Sequence, residues 1–279
     1  MDKNIHLFLI DVQNDFCIPN KAALYVANAE KDCERTAKFI EKYNGEFKKI
    51  TCTLDSHSVI HVGHGVWWLD ENNNHPDPGT QISHQSVLDG AFRSANPKYQ
   101  SWALEYTEKL ETQTVDDPRK KYNVQIWPEH CIIGTWGWCM VEPVVKAINE
   151  WERKYHKANM ITKGSNPFVE HYSAVKAEVI RPGERNTMLN EALINILKED
   201  DCEIVFAGQA LSHCVAATMR DVVEQFDVDQ LKKFTLLTDA SSPVIIPGIV
   251  DFTPQGEEFV SEMKDKGLKL ATTENYFGY

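Results

Sequence analysis

The sequence predicts a three-layer α/β/α protein on a central, mostly parallel sheet. Short runs of apolar and β-branched residues recur along the chain, and between them lie segments whose apolar residues return every three or four positions. Strands alternating with amphipathic helices imply parallel neighbours and a sheet covered on both faces. The ends of the runs also carry polar residues capable of chemistry, on the edge where open parallel sheets bind their ligands.

The strand runs are Ile5–Ile10, Lys49–Leu54, Ala158–Thr162, Glu203–Ala207, Phe234–Thr238 and Leu268–Thr272. Helical faces are formed by Cys33, Ala37 and Ile40; by Val144, Ile148, Trp151 and Tyr155; by Leu189, Leu193 and Ile196; and by Val215, Met219, Val222 and Phe226, with Phe259 and Met263 marking a last helix. About residues 62–126 the rhythm breaks. HPDPG, the Asn72–Asn74 run and Asp117–Pro118 fall there, with weak periodicity only around Trp102–Leu110. This reads as a long insertion within a single domain spanning residues 1–279. It carries Trp67, Trp68, Phe92, Tyr99 and Trp102, which would close over the pocket as a lid or rim, or meet a second subunit.

With 29 Lys+Arg against 41 Asp+Glu the net charge is −12, which disfavours sequence-independent binding to nucleic-acid backbones. No apolar run approaches the roughly 20 residues of a membrane span, so no membrane partner is expected. The opening MDKNIHLFLIDVQNDF lacks a signal-peptide cleavage site. Seven scattered cysteines, none in CxxC spacing, read as free thiols in a reducing compartment. The expected location is cytoplasmic.

The first run ends at Asp11, the second at Asp55-Ser56-His57 and the third at Lys163-Gly164. The fourth leads through Gly208-Gln209-Ala210 to Ser212-His213-Cys214, and the fifth ends at Asp239. Such an Asp alone also caps helices and turns. Asp, Lys and Cys on three strands of one edge form a more specific set. A thiol at a helix start meets free amides and the positive end of the dipole, which favour thiolate, and Lys163 would add to this. The same amides can stabilise an oxyanion, and Asp11 can carry the proton from thiol to leaving amine. Otherwise Asp11 caps a turn and Lys163 is its ion-pair partner. Asp55-x-His57 suits a chelate for Zn, Fe or Mn, its third ligand coming from His61, His64 or His130.

Together these segments resemble the isochorismatase-like cysteine hydrolases, specifically the nicotinamidase/pyrazinamidase branch. LIDVQNDF, TLDSHSVIH, WPEHCIIGTWG, ITKGSNPFVEHYSA and FAGQALSHCVAATMRDV occur in that family's order. The resemblance implies the isochorismatase-like hydrolase fold, a catalytic triad of Asp11, Lys163 and Cys214, and an oxyanion hole of the Ala210 and Cys214 amides after a cis Gln209–Ala210 peptide. It implies one divalent metal ion, Zn or else Fe or Mn, on Asp55, His57 and His130, with His61 as an optional fourth ligand; His64 lies outside the match. The implied activity is a nicotinamidase: a small amide hydrolysed through a Cys thioester, in NAD salvage. Alternatives are an amidase for another small amide or an N-carbamoyl compound, and a catalytically silent binding protein. Self-association into a homo-oligomer is left open. Ser56, Gln209, His213 and His171 depart from the family's usual residues.

Overall fold

A computed structural model describes residues 4–112, 122–198, 201–246 and 248–278. Its centre is a six-stranded sheet of β1 (Ile5–Ile10), β2 (Phe47–Asp55), β3 (Asn159–Lys163), β4 (Glu203–Gly208), β5 (Phe234–Leu237) and β6 (Lys269–Ala271), in the order β6-β5-β4-β1-β2-β3. Every neighbouring pair is parallel. All six lie where the apolar runs predict them. Central β1 is buried along its whole length, as a strand covered on both faces must be. Edge strand β3 instead alternates, with Met160 exposed.

Two apolar layers cover the sheet. On one face, Cys33, Ala37 and Ile40 of helix Ala29–Lys42 pack with Val144, Ile148 and Trp151 of helix Glu142–Glu152. The other face is covered by helices Glu191–Lys198, Ala216–Val223 and Thr253–Asp265, through Leu197, Met219, Val222, Phe259 and Met263. Burying each such side chain stabilises the fold by about 1.5–3 kcal/mol. The third predicted helical face is rotated: the helix starts at Glu191, so it buries Leu193, Ile194 and Leu197 and leaves Leu189 outside. Tyr155 likewise lies past its helix and is exposed.

The insertion has a core of its own. Strand Trp68–Asp70 pairs antiparallel with Phe92–Ser94, and Gln81–Ile82 with Val124–Gln125. Helix Gln100–Thr112 packs Trp102, Ala103, Tyr106 and Leu110 against Trp67, Trp68, Ile82 and Val87, and against Val169 and Val179 of the main chain fold. The Asp117–Pro118 turn lies outside the described residues. None of the five aromatics expected to cover a ligand lines the catalytic pocket. Trp67, Trp68 and Trp102 are buried in this satellite core, and Phe92 and Tyr99 pack on it. Large aromatics gain more from burial against one another than from partial exposure at a pocket rim.

Candidate active site

The carboxyl ends of β1, β2, β3 and β4 converge. Asp11, just past β1, has φ +47° and is fully buried. Its amide donates to the Thr53 hydroxyl at 3.1 Å, and that hydroxyl donates to Asp11 Oδ1 at 2.6 Å. Parallel register sets Asp55 beside Lys163. Lys163 Nζ reaches Asp11 Oδ2 at 2.9 Å, Asp55 Oδ1 at 3.1 Å, the His171 carbonyl at 2.9 Å and Cys214 Sγ at 3.5 Å. One buried ammonium thus links Cys214, Asp11 and Asp55, the residues the sequence singles out as nucleophile, base and metal carboxylate.

β4 ends at Gly208, φ +123°, where a Cβ would lie 2.0 Å from the Ile10 carbonyl oxygen, so only glycine lets the two central strands approach so closely. The Gln209–Ala210 peptide is cis, as expected. Gln209 is a tie-beam: its amide nitrogen donates to Asp32 Oδ2 at 2.9 Å and its oxygen accepts from the Ser242 amide at 3.3 Å. Cys214 lies in the wide turn Leu211–Val215 that opens the following helix.

Electrostatics differ from the sequence expectation at the thiol. Burial pushes Cys214 well above its ordinary pKa, outweighing the pull of Lys163. Burial also raises Asp11, against the attraction of Lys163. For Lys163, burial favours the neutral amine, but Asp11 and Asp55 win and hold it charged. Cys214 therefore rests as a thiol and must lose its proton as it reacts. A helix-start position in the sequence carries no measure of this desolvation.

Asp55, His57 and His130 bring one ligand atom each within 4.8 Å of one another. His57 Nδ1 donates to the Gly164 carbonyl at 3.1 Å and His130 Nδ1 to the Pro128 carbonyl at 2.8 Å. Since a carbonyl can only accept, Nδ1 of each ring carries the proton and Nε2 is the nitrogen turned toward Asp55 Oδ2, at 3.0 and 3.4 Å. Two imidazole nitrogens turned onto one carboxylate can share a proton with it or hold a cation, and imidazoles oriented by backbone carbonyls are the usual support for a metal ion. At Gly164, φ +78°, a Cβ would stand 2.7 Å from Asp55 Oδ1 and 2.9 Å from the His57 ring, so the glycine keeps this cradle open.

His61 has both nitrogens committed, Nε2 donating to the Val169 carbonyl and Nδ1 accepting from the Gly63 amide. It also groups with His57 and Glu170 as metal-capable residues. His64 donates Nδ1 to the Val59 carbonyl, while its buried Nε2 has no partner. Its ring stands 5.3 Å from His57 and 5.6 Å from His130, and burial with its histidine neighbours lowers its pKa to about 3, keeping the lone pair available. His64 thus keeps an unpartnered nitrogen, but among the described residues it joins neither metal-capable group, whereas His61 joins one. Sequence reasoning also missed Glu170, buried in the pocket wall beside His130, because VEHYS offers no spacing signal for a carboxylate.

The catalytic pocket is a cavity of about 30 Å³ walled by Phe16, Trp127, Tyr172, Ala210, His213 and Cys214, with Asp55 and His130 opening into it.

No family model matches the chain. The Saccharomyces cerevisiae nicotinamidase is 23% identical over 238 residues, 85% of this chain and 88% of its own. The structure of the yeast nicotinamidase bound to the inhibitor nicotinaldehyde superposes with a TM-score of 0.63 at 20% identity, covering 96% of this chain and 99% of that one. An isochorismatase-like hydrolase from Alkaliphilus metalliredigens gives a TM-score of 0.51 at 13% identity over 99% and 98% of the two chains. The chain has the isochorismatase-like hydrolase fold. Within this fold family, the pyrazinamidase of Pyrococcus horikoshii, in complex with zinc, matches at 20% identity and a TM-score of 0.54 over 96% of this chain and 98% of its own. No helix among the described residues of this isochorismatase-like chain is long and apolar enough to cross a membrane.

Proposed function

We propose that this chain is a metal-dependent cysteine amidohydrolase that converts nicotinamide and water to nicotinate and ammonia. One observation carries the reading: Lys163 joins Asp11, Cys214 and Asp55 within 3.5 Å, and Asp55 and Cys214 line a small aromatic-walled pocket. The similarity to the yeast nicotinamidase supports the substrate.

In this mechanism Asp11 takes the Cys214 proton as Sγ attacks the carboxamide carbon, and Lys163 keeps Asp11 ionised against its burial. The carbonyl oxygen, now an oxyanion, sits on the Ala210 and Cys214 amides. Asp11 returns the proton to the departing ammonia, leaving a thioester, and then activates the water that releases nicotinate. Asp55, His57 and His130, with His64 alongside, would hold one divalent ion, zinc being favoured by the carboxylate–imidazole set. When bound, that ion supplies a Lewis-acid anchor for a ring nitrogen. Seven free thiols support a reducing, cytoplasmic setting.

Ammonia release from a panel of small amides, nicotinamide and pyrazinamide included, tests the reading. Turnover of nicotinamide that chelator abolishes and zinc restores is expected; no release from any amide overturns it.

A further inference from the structure

Asp32 does not line the catalytic pocket. It lies on helix Ala29–Lys42, 2% exposed, with both carboxylate oxygens engaged. Oδ2 accepts from the side-chain nitrogen of Gln209 at 2.9 Å, and Oδ1 accepts from the Arg35 guanidinium at 2.6 Å. Arg35 also donates to the Asp239 carbonyl just past β5, which ties the helix to the sheet edge at this point. Burial raises the pKa of Asp32, against the hydrogen bonds of Ser242 and Gln209 and the charge of Arg35. An aliphatic pair at 32 and 209 would fill the same space without the cost of burying a carboxylate. Packing alone therefore does not call for one.

Gln209 stands immediately before Ala210, whose amide is one of the two oxyanion donors in the proposed reaction. Its carboxamide fits only one way round. A carboxylate accepts and the Ser242 amide donates, so Nε2 faces Asp32 and Oε1 faces Ser242, at 3.3 Å. The backbone on either side is tied down as well. The Gly208, Gln209 and Leu211 amides donate to the Ala240, Ile10 and Ser242 carbonyls at 3.0, 2.7 and 2.8 Å. The Ala210 carbonyl accepts from the His213 and Val215 amides at 3.0 and 3.1 Å. Within this run the Ala210 amide alone donates to no acceptor among the described residues. The segment leaves one N–H free and fixes the peptides around it.

Resting on the amidohydrolase reading, we propose that Asp32 is a positioning residue for the reaction: by holding the Gln209 side chain it sets the direction of the Ala210 N–H. Oxyanion donors act at about 2.7–3.1 Å from where the oxygen stands in the transition state, so a small tilt of one peptide is felt there and little by the bound amide. Asp32→Ala leaves Gln209 Nε2 without its acceptor, and the side chain is then held at Ser242 alone. The kcat for nicotinamide is expected to fall about ten- to a hundredfold, short of the roughly 10²–10³ that deleting one oxyanion donor costs, with KM within twofold.

Nicotinaldehyde reads the same geometry without turnover. Cys214 Sγ bonds to its carbonyl carbon, the C=O π bond breaks, and the thiol proton passes to the oxygen, which rests on the Ala210 and Cys214 amides. 3-Methylpyridine fills the ring site and carries no oxygen. In Asp32→Ala, nicotinaldehyde affinity is expected to fall about tenfold or more, while 3-methylpyridine affinity stays within twofold. Gln209→Leu should do the same, and adding Asp32→Ala to it should change nothing further, because one acts through the other. Asp32→Asn keeps the shape but offers one acceptor to two donors. It should show a smaller loss of the same kind, and it carries the test if Asp32→Ala does not fold. Equal losses for both ligands, or folded variants with kcat and aldehyde affinity unchanged, overturn the positioning role even where the wild type turns nicotinamide over briskly. A selective loss of aldehyde binding in a protein that hydrolyses no amide upholds the positioning role and sinks the hydrolase reading instead.

Discussion

The carboxyl edge of the sheet and the insertion are both rich in the residues from which active sites are made, yet they spend them differently. At the sheet edge, Asp11, Asp55 and Lys163 are buried side by side and pair with one another, at the ends of strands whose register leaves them no other place. In the insertion, Trp67, Trp68 and Trp102 are buried against one another and against Val169 and Val179. Beyond His64, the insertion braces the backbone that follows β3. Tyr106 OH accepts from the Glu170 amide at 3.1 Å, and the Trp102 indole donates to the Phe168 carbonyl at 2.8 Å. It is a buttress under the segment that carries Glu170 and His171. Polar side chains at strand ends act where the sheet puts them, whereas aromatics act wherever they find enough partners to exclude water.

The sharpest way to break this comparison is at the nucleophile. Cys214→Ala is expected to lower kcat for nicotinamide by about ten-thousand-fold or more, some 5–6 kcal/mol of barrier at 1.36 kcal/mol per decade, with the thermal midpoint and metal content close to wild type. Residual activity within tenfold would mean that the edge cluster is an ion-pair knot and that chemistry lies elsewhere. Next in size is the metal. Elemental analysis of His130→Ala and His64→Ala should show metal lost from the first and weakened in the second, while His61→Ala retains it. Full retention in His64→Ala with loss in His61→Ala would return His61 to the ligand set.

Most of the sheet was legible because a buried parallel strand must be a short apolar run, and Ile5–Ile10 or Glu203–Gly208 can be little else. Asp11, Lys163 and Cys214 were legible as strand-end residues, and their meeting follows from parallel topology alone. Three things were not. The Cys214 thiol looked activated in sequence, but burial raises its pKa, and that burial depends on Phe16, Trp127, Tyr172 and other walls far along the chain. The hydrogen-bond state of His61 and His64 was hidden, since only the backbone bonds at Val59, Gly63 and Val169 reveal which nitrogen is spoken for. The aromatics of the insertion carried no sign of their partners, because helix Gln100–Thr112 has only a weak apolar stripe and shares its core with Val169, Ala177 and Val179, far along the chain.

The buttress can be tested apart from the chemistry. Trp68 is fully buried and its indole donates to the Val62 carbonyl at 2.7 Å. Trp68→Ala should cost about 3–5 kcal/mol of stability, measured by chemical unfolding, while kcat/KM for nicotinamide stays within twofold at a temperature where the variant is folded. A tenfold fall in kcat/KM without loss of stability would make the insertion a working lid after all.

The smallest expected effect reads how tightly the buttressed segment is sealed. His171 is 6% exposed, its Nε2 bonds to the Asn186 carbonyl at 3.1 Å, and burial lowers its pKa from 6.5 to about 4. In the folded chain the ring stays neutral down to about pH 4, whereas in the unfolded chain it gains a proton below about pH 6.5. The unfolded state therefore binds the extra proton between these values. The contribution is fully present above pH 6.5 and is lost as pH falls toward 4, by about 3 kcal/mol in all. His171→Gln keeps a donor for Asn186 and removes the titration. Unfolding free energies across that window should fall less steeply in the variant, by close to one proton's worth of slope. Parallel curves for the two proteins would mean that His171 titrates as it does in water, and that the insertion leaves the Glu170–His171 segment open to solvent.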